Sequence, residues 1–195
     1  MFPDISSHKL KVIHNFVDLS VFHIRPDREL CIDNKAFDIL YMSAYGKSIF
    51  NDNYLRILKE LSSTYSIAIT HPNYEDPHAI KQKNKELLSY GFYVLDPMNR
   101  KTLGGLIQDS KIVIAPHFKE TFGCFAIESL YLGTPIIYHP DSGALKEIVD
   151  SIYSVDLYNI EAVRDKIEYL IREGNIIHKK SFLIESISKD WINII

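Results

Sequence analysis

Short, continuous apolar runs recur along this chain, and most are followed by a segment of helical pattern. "AFDILYMSA" (36–44), "YSIAIT" (65–70), "FYVLDP" (92–97), "KIVIAP" (111–116) and "PIIYHP" (135–140) are of strand length and show no inside–outside alternation. Strands of that kind are covered on both faces, which points to a parallel sheet between helices and away from an antiparallel sheet with one wet face. Between them lie "NDNYLRILKELSST" (51–64), "PHAIKQKNKELLSYG" (77–91), "NRKTLGGLIQDS" (99–110) and "CFAIESLYL" (124–132), read as helices. Pro77 near the start and Gly91 just past the end bracket the second of them. "GALKEIVD" (143–150), a short strand "IYSV" (152–155) and a long helix "NIEAVRDKIEYLIREG" (159–174) complete the series. The alternation predicts an α/β fold: a single Rossmann-like domain, with a parallel sheet of about six strands and helices on both faces.

Three segments are expected. Residues 1–35 are an irregular or linking stretch, 36–174 the Rossmann-like domain, and 175–195 an amphipathic helix that must bury Trp191 and several isoleucines. A chain of 195 residues, 46% hydrophobic, suits one globular domain, and its net charge of −3 gives no global case for nucleic acid or an anionic membrane. Cys31 and Cys124 form neither a disulfide framework nor a zinc motif. No apolar run approaches the ~18 residues of a membrane span, and no signal pattern opens the sequence. A cytoplasmic location is expected. The eight histidines are scattered without metal-ligand spacing, and no dinucleotide or Walker loop follows the first strand, so neither a metal nor a bound cofactor is expected.

Chemistry concentrates in "HFKETFGCFAIESLYLGTPII" (117–137). In an open parallel sheet, ligands bind at the carboxyl ends of strands, beside helix N-termini. Here the strand "KIVIAP" ends, a turn follows, and a helix begins near Phe122 to Cys124. The first amides of that helix lack intrahelical partners and carry the positive end of its dipole, while Gly123 lets a phosphate or sugar oxygen approach the backbone. Glu120 precedes the helix and Glu128 lies roughly two turns later, so two hydroxyl-accepting acids flank an anion-binding backbone. That order matches a sugar, a diphosphate and a ribose. The plain alternative is that Glu120 complements the dipole and Glu128 is solvated. Against it, Glu128 occupies a mostly apolar helix, where a carboxylate without a ligand or partner is unfavourable.

These residues resemble the donor-binding, C-terminal half of GT-B fold retaining glycosyltransferases, the glycogen-synthase-like group 1 family with its Glu-x7-Glu block, Phe-Gly step and Gly-Thr-Pro. "SGALKEIVD" (142–150) is similar to that family's following Gly-Gly-x-x-Glu-Ile-Val turn, and "VIHNFVDLSVF" (12–22) to its interdomain linker. The resemblance implies that Glu120, at the catalytic position, contacts the donor sugar's hydroxyls. It implies further that Thr121, Phe122 and Gly123 lie against the donor, that Cys124 and Phe125 offer N–H groups to the diphosphate, and that Glu128 binds the ribose. His117 stands where relatives often carry Ser and reads as a loop residue near the ligand rather than an acid or base. The family's diphosphate-binding Arg after the first strand has no counterpart in "MSAYGKSIFND" (42–52), where Lys47 is either its replacement or an ordinary loop lysine.

The function so implied is hexosyl transfer from a nucleotide sugar, with this chain supplying the donor site and no metal required. Residues 1–11 alone precede the linker-like stretch, so an acceptor-binding half is expected from a partner subunit, a longer parent chain, or homodimerisation. The alternative is a noncatalytic nucleotide-sugar-binding or assembly module. A GT-B type epimerase is a third reading.

Overall fold

The structure, a computed structural model, describes residues 17–18, 20–23, 35–42, 52–70, 77–116 and 123–173. Among them, five strands form one sheet: β1 (Phe37–Tyr41), β2 (Ile67–Thr70), β3 (Tyr93–Leu95), β4 (Ser110–Ala115) and β5 (Ile136–Tyr138). Every pairing is parallel and the order is β3-β2-β1-β4-β5. The register places Ile39 beside Ile67 and Ile112, and Val113 beside Ile136. The continuous apolar runs are explained directly, because Ile39, Leu40, Ile67, Ala68, Ile112, Val113, Ile136 and Ile137 are wholly buried. Each of the valine, leucine and isoleucine side chains among them contributes about 1.5–3 kcal/mol on leaving water.

Among the described residues, six helices connect and cover the strands: α1 (Asp52–Leu61), α2 (Pro77–Ser89), α3 (Arg100–Gln108), α4 (Cys124–Tyr131), α5 (Leu145–Ile148) and α6 (Ile160–Glu173). Their buried residues recur at helical spacing, as in Tyr54, Leu58 and Leu61 of α1 and Val163, Ile167 and Leu170 of α6. Helix α1 packs with α6, and α3 with α4. Right-handed crossovers put α1 and α2 on one face of the sheet and α3 and α4 on the other, because the direction of strand addition reverses after β3.

One expectation is corrected here. The sixth strand, "IYSV", is a 3-10 helix over Ser151–Tyr153 followed by one parallel bridge from Ser154 to Tyr138. The Asp150 carboxylate accepts the Ile152 amide (3.0 Å) and coils that segment before it can extend. Part of the segment before residue 36 packs on the domain. Asp18 accepts the Ser20 amide (2.9 Å) to form a turn, and Val17 and Phe22 are each 1% exposed. A Cβ on residue 104 would sit 3.0 Å from Phe22 Cδ1, so the first glycine of "TLGGLIQ" makes room for this ring. Gln108 Nε2 donates to the His23 carbonyl (2.9 Å), fastening the turn to α3. The tail 175–195 lies outside the described residues.

Candidate functional site

The sheet reverses its winding between β1 and β4, and the crevice at their carboxyl ends is the place where such a fold accommodates a ligand. The Met42 amide donates to the Ile114 carbonyl (3.2 Å), so the two strands remain paired up to that edge. When the described chain resumes after Pro116, it does so at Gly123, in the left-handed region with φ 78° and ψ 47°. Its carbonyl accepts the Ala126 amide (2.9 Å) and the Ile127 amide (3.3 Å), opening α4. Gly123 itself offers no side-chain cap, and no acidic residue lies in the first turn of α4. Gly123 is buried, Cys124 exposed and Phe125 half-buried.

The far end of α4 explains the Gly-Thr-Pro. Gly133 is left-handed (φ 80°), and the Thr134 amide reaches back to the Ser129 carbonyl (3.0 Å), a Schellman-type stop. The Ser129 hydroxyl donates to the Thr134 carbonyl (2.8 Å), and the Thr134 hydroxyl donates to the Ile107 carbonyl of α3 (2.8 Å). The motif therefore ties α4 to α3. In the turn after β5, His139 Nδ1 accepts the Asp141 amide (3.1 Å).

Glu128, one turn into α4, is not solvated: it is 4% exposed. Its Oε1 accepts a hydrogen bond from Arg100, the first residue of α3, and the two form an ion pair. Burial pushes the Glu128 carboxyl above its ordinary value, and the Arg100 charge and hydrogen bond draw it back in part. A carboxylate so placed is a strong acceptor for hydroxyl groups, since its ionised form is under-compensated.

Of the residues singled out from the sequence, the structure brings Gly123, Cys124, Phe125 and Glu128 together along the first turns of α4 at the carboxyl edge. Lys47, His117, Glu120, Thr121 and Phe122 lie outside the described residues. Arg100 was missed. The signal was present, because "NRK" (99–101) puts two cations at a helix start, where the dipole disfavours them.

This geometry is that of a doubly wound domain with a glycine-opened helix start and a buried acid at its switch point. Residues 73–183 match the family of glycosyl transferases group 1, more than half of the chain, and the protein belongs to that family. A 41.2 kDa uncharacterised protein of the cps region of Klebsiella pneumoniae is 24% identical over 179 residues, 89% of this chain and 48% of that protein. Sucrose-phosphate synthase from Thermosynechococcus elongatus superposes with a TM-score of 0.69 at 16% identity, over 94% of this chain and 51% of that one. HepE from Anabaena, solved with UDP and glucose, gives 0.71 at 14% identity, over 94% of this chain and 55% of its own. The fold is thus a parallel five-stranded α/β domain similar to the GT-B glycosyltransferase fold. The chain spans about half the length of the relatives it matches. No helix among the described residues is long and apolar enough to cross a membrane.

Proposed function

We propose that this chain supplies the nucleotide-sugar donor site for a cytoplasmic hexosyl transfer. The observation that carries the reading is the left-handed start of α4 at Gly123 with buried Glu128 one turn beyond it. HepE, similar in fold, binds UDP and glucose. In this chain the diphosphate would lie on the Gly123, Cys124 and Phe125 amides, and the ribose hydroxyls would donate to Glu128. Glu120 is assigned the sugar hydroxyls and the catalytic position, and Lys47, His117, Thr121 and Phe122 are assigned to donor binding.

The reaction breaks the bond between the anomeric carbon and the diphosphate oxygen and joins that carbon to an acceptor oxygen, whose proton is lost. Negative charge grows on the departing diphosphate, and a fixed helix dipole aimed at it lowers the barrier without a metal. An acceptor-binding half, on the same or another polypeptide, completes the cleft.

Calorimetry with UDP, GDP and ADP sugars tests the reading. Binding in the micromolar range to one nucleotide, unchanged by EDTA and lost in Glu128→Ala, is the expected result. Failure of every nucleotide to bind would overturn the donor site and leave an assembly module.

A further inference from the structure

Arg100 and Lys101 stand in the first turn of α3, where the positive end of the dipole works against them, and no acidic residue of that turn offsets the charge. Arg100 is compensated from outside its own helix. One face of the guanidinium meets the Phe22 ring, 5.1 Å from Cζ to the centroid, and a terminal nitrogen donates to Glu128 Oε1. Asp18 carries a carboxyl held below its usual value chiefly by the Ser20 hydroxyl and amide, and it also feels the Arg100 charge.

The two sides of the Arg100–Glu128 pair differ sharply. The arginine side chain is 60% exposed and that of the glutamate 5%. Among the described residues, Arg100 is the charged group that acts on Glu128. Glu128 Oε1 takes its hydrogen bond, while Oε2 accepts none from any described residue. A surface-reaching guanidinium therefore holds one oxygen of a buried acid and leaves the second for another donor. Phe22 restrains the guanidinium in turn, because its ring is sealed over Gly104 and cannot move away cheaply.

We propose that Arg100 is a positioning residue of the donor site: set between the Phe22 ring and the Glu128 carboxylate, it fixes Oε1, so that Oε2 receives the donor's ribose hydroxyls. The inference rests on the donor-site reading above. It adds that segment 17–23 bears on ribose binding through Phe22 without touching the ribose. Lysine keeps the charge but lacks the planar fork, and methionine keeps the stem alone.

The test compares the full chain with Arg100→Met and Arg100→Lys. UDP and 2′-deoxy-UDP binding is measured by calorimetry across the acid range, and the Glu128 carboxyl is followed by carbon-13 NMR. Loss of one charge-assisted contact is expected to weaken UDP about tenfold at neutral pH in Arg100→Met. The acid limb of binding and the Glu128 titration should both move to higher pH, Arg100→Lys should restore part of each, and 2′-deoxy-UDP should lose less than UDP. UDP binding with an unchanged affinity and an unchanged acid limb in Arg100→Met would overturn the proposal. If none of UDP, GDP and ADP binds to any form of the chain, the donor-site reading falls. The NMR titration then judges Arg100 by itself: an upward shift in Arg100→Met upholds its hold on Glu128, and none overturns it.

Discussion

Two partly or wholly buried acids sit at opposite edges of the sheet, and their surroundings differ in kind. At the amino edge, Asp38 accepts the Ser66 amide (2.7 Å), the Ser66 hydroxyl (2.8 Å) and the Lys111 ammonium (2.8 Å). Burial pushes its carboxyl up, but those bonds outweigh burial and hold it below its ordinary value. At the carboxyl edge, Glu128 is more deeply buried and has the Arg100 guanidinium as its sole charged partner among the described residues, so burial wins and its carboxyl is raised. An acid whose acceptor sites are filled by its own chain stabilises the fold. One left under-filled is available to a ligand.

The two helix starts of the carboxyl edge repeat the contrast. Asn99 caps α3, its side-chain oxygen accepting the Thr102 amide (2.9 Å), whereas Gly123 opens α4 with no side chain to offer.

The largest expected effect breaks the carboxyl edge outright. In Gly123→Val a branched residue is forced into a left-handed conformation that disfavours any side chain by about 1–2 kcal/mol. With the amides displaced, nucleotide affinity should fall more than about a hundredfold by calorimetry.

Next comes Asp38→Ala. It removes a charge-assisted network at the amino edge, and urea unfolding should register a loss of about 1.5–3 kcal/mol. Nucleotide affinity should be unchanged, and a matching loss of binding would show that the two edges are not separable. The sign with pH follows from the depressed carboxyl. Asp38 stabilises above its ordinary value of 3.8, and that stabilisation is lost as pH falls through the lower folded value.

Glu128→Gln sharpens the comparison by its opposite sign. A raised carboxyl favours the folded state most fully below the ordinary value of 4.5, and this contribution is lost as pH rises through the folded value. Gln escapes that loss and can still accept from Arg100. Its melting temperature at neutral pH should therefore exceed the unaltered chain's, by about 2–4 °C for each kcal/mol, and the gain should shrink on acidification. Nucleotide affinity should drop about ten- to a hundredfold in the same variant.

The smallest effect is that of Asn99→Ala. Stability should fall by about 1 kcal/mol as a cap is lost, with nucleotide affinity unmoved although the residue adjoins Arg100.

How much of this was legible in the sequence depends on the range of the interaction involved. The strands could be read because burial on both faces leaves an uninterrupted apolar run. The α2 boundary could be read because Pro77 and the left-handed Gly91 (φ 83°) act through their own backbones. "IYSV" misled, since its composition suits a strand while the preceding Asp150 turns it into a 3-10 helix. The Gly-Thr-Pro could be recognised as a motif, but its work as a tie from α4 to the Ile107 carbonyl of α3 depends on how those helices pack.

The sequence by itself determined that β and α segments alternate, that the sheet is parallel, and that a glycine opens the helix holding Glu128. It also required some partner for that acid, because a lone buried charge is unfavourable wherever it is placed. Tertiary structure alone decided that the partner is Arg100, 28 residues away. It also decided that the segment carrying Phe22 closes over the same arginine. Local physics chooses elements through neighbours a few bonds apart, whereas a pairing between two helices exists only after the sheet has brought them side by side.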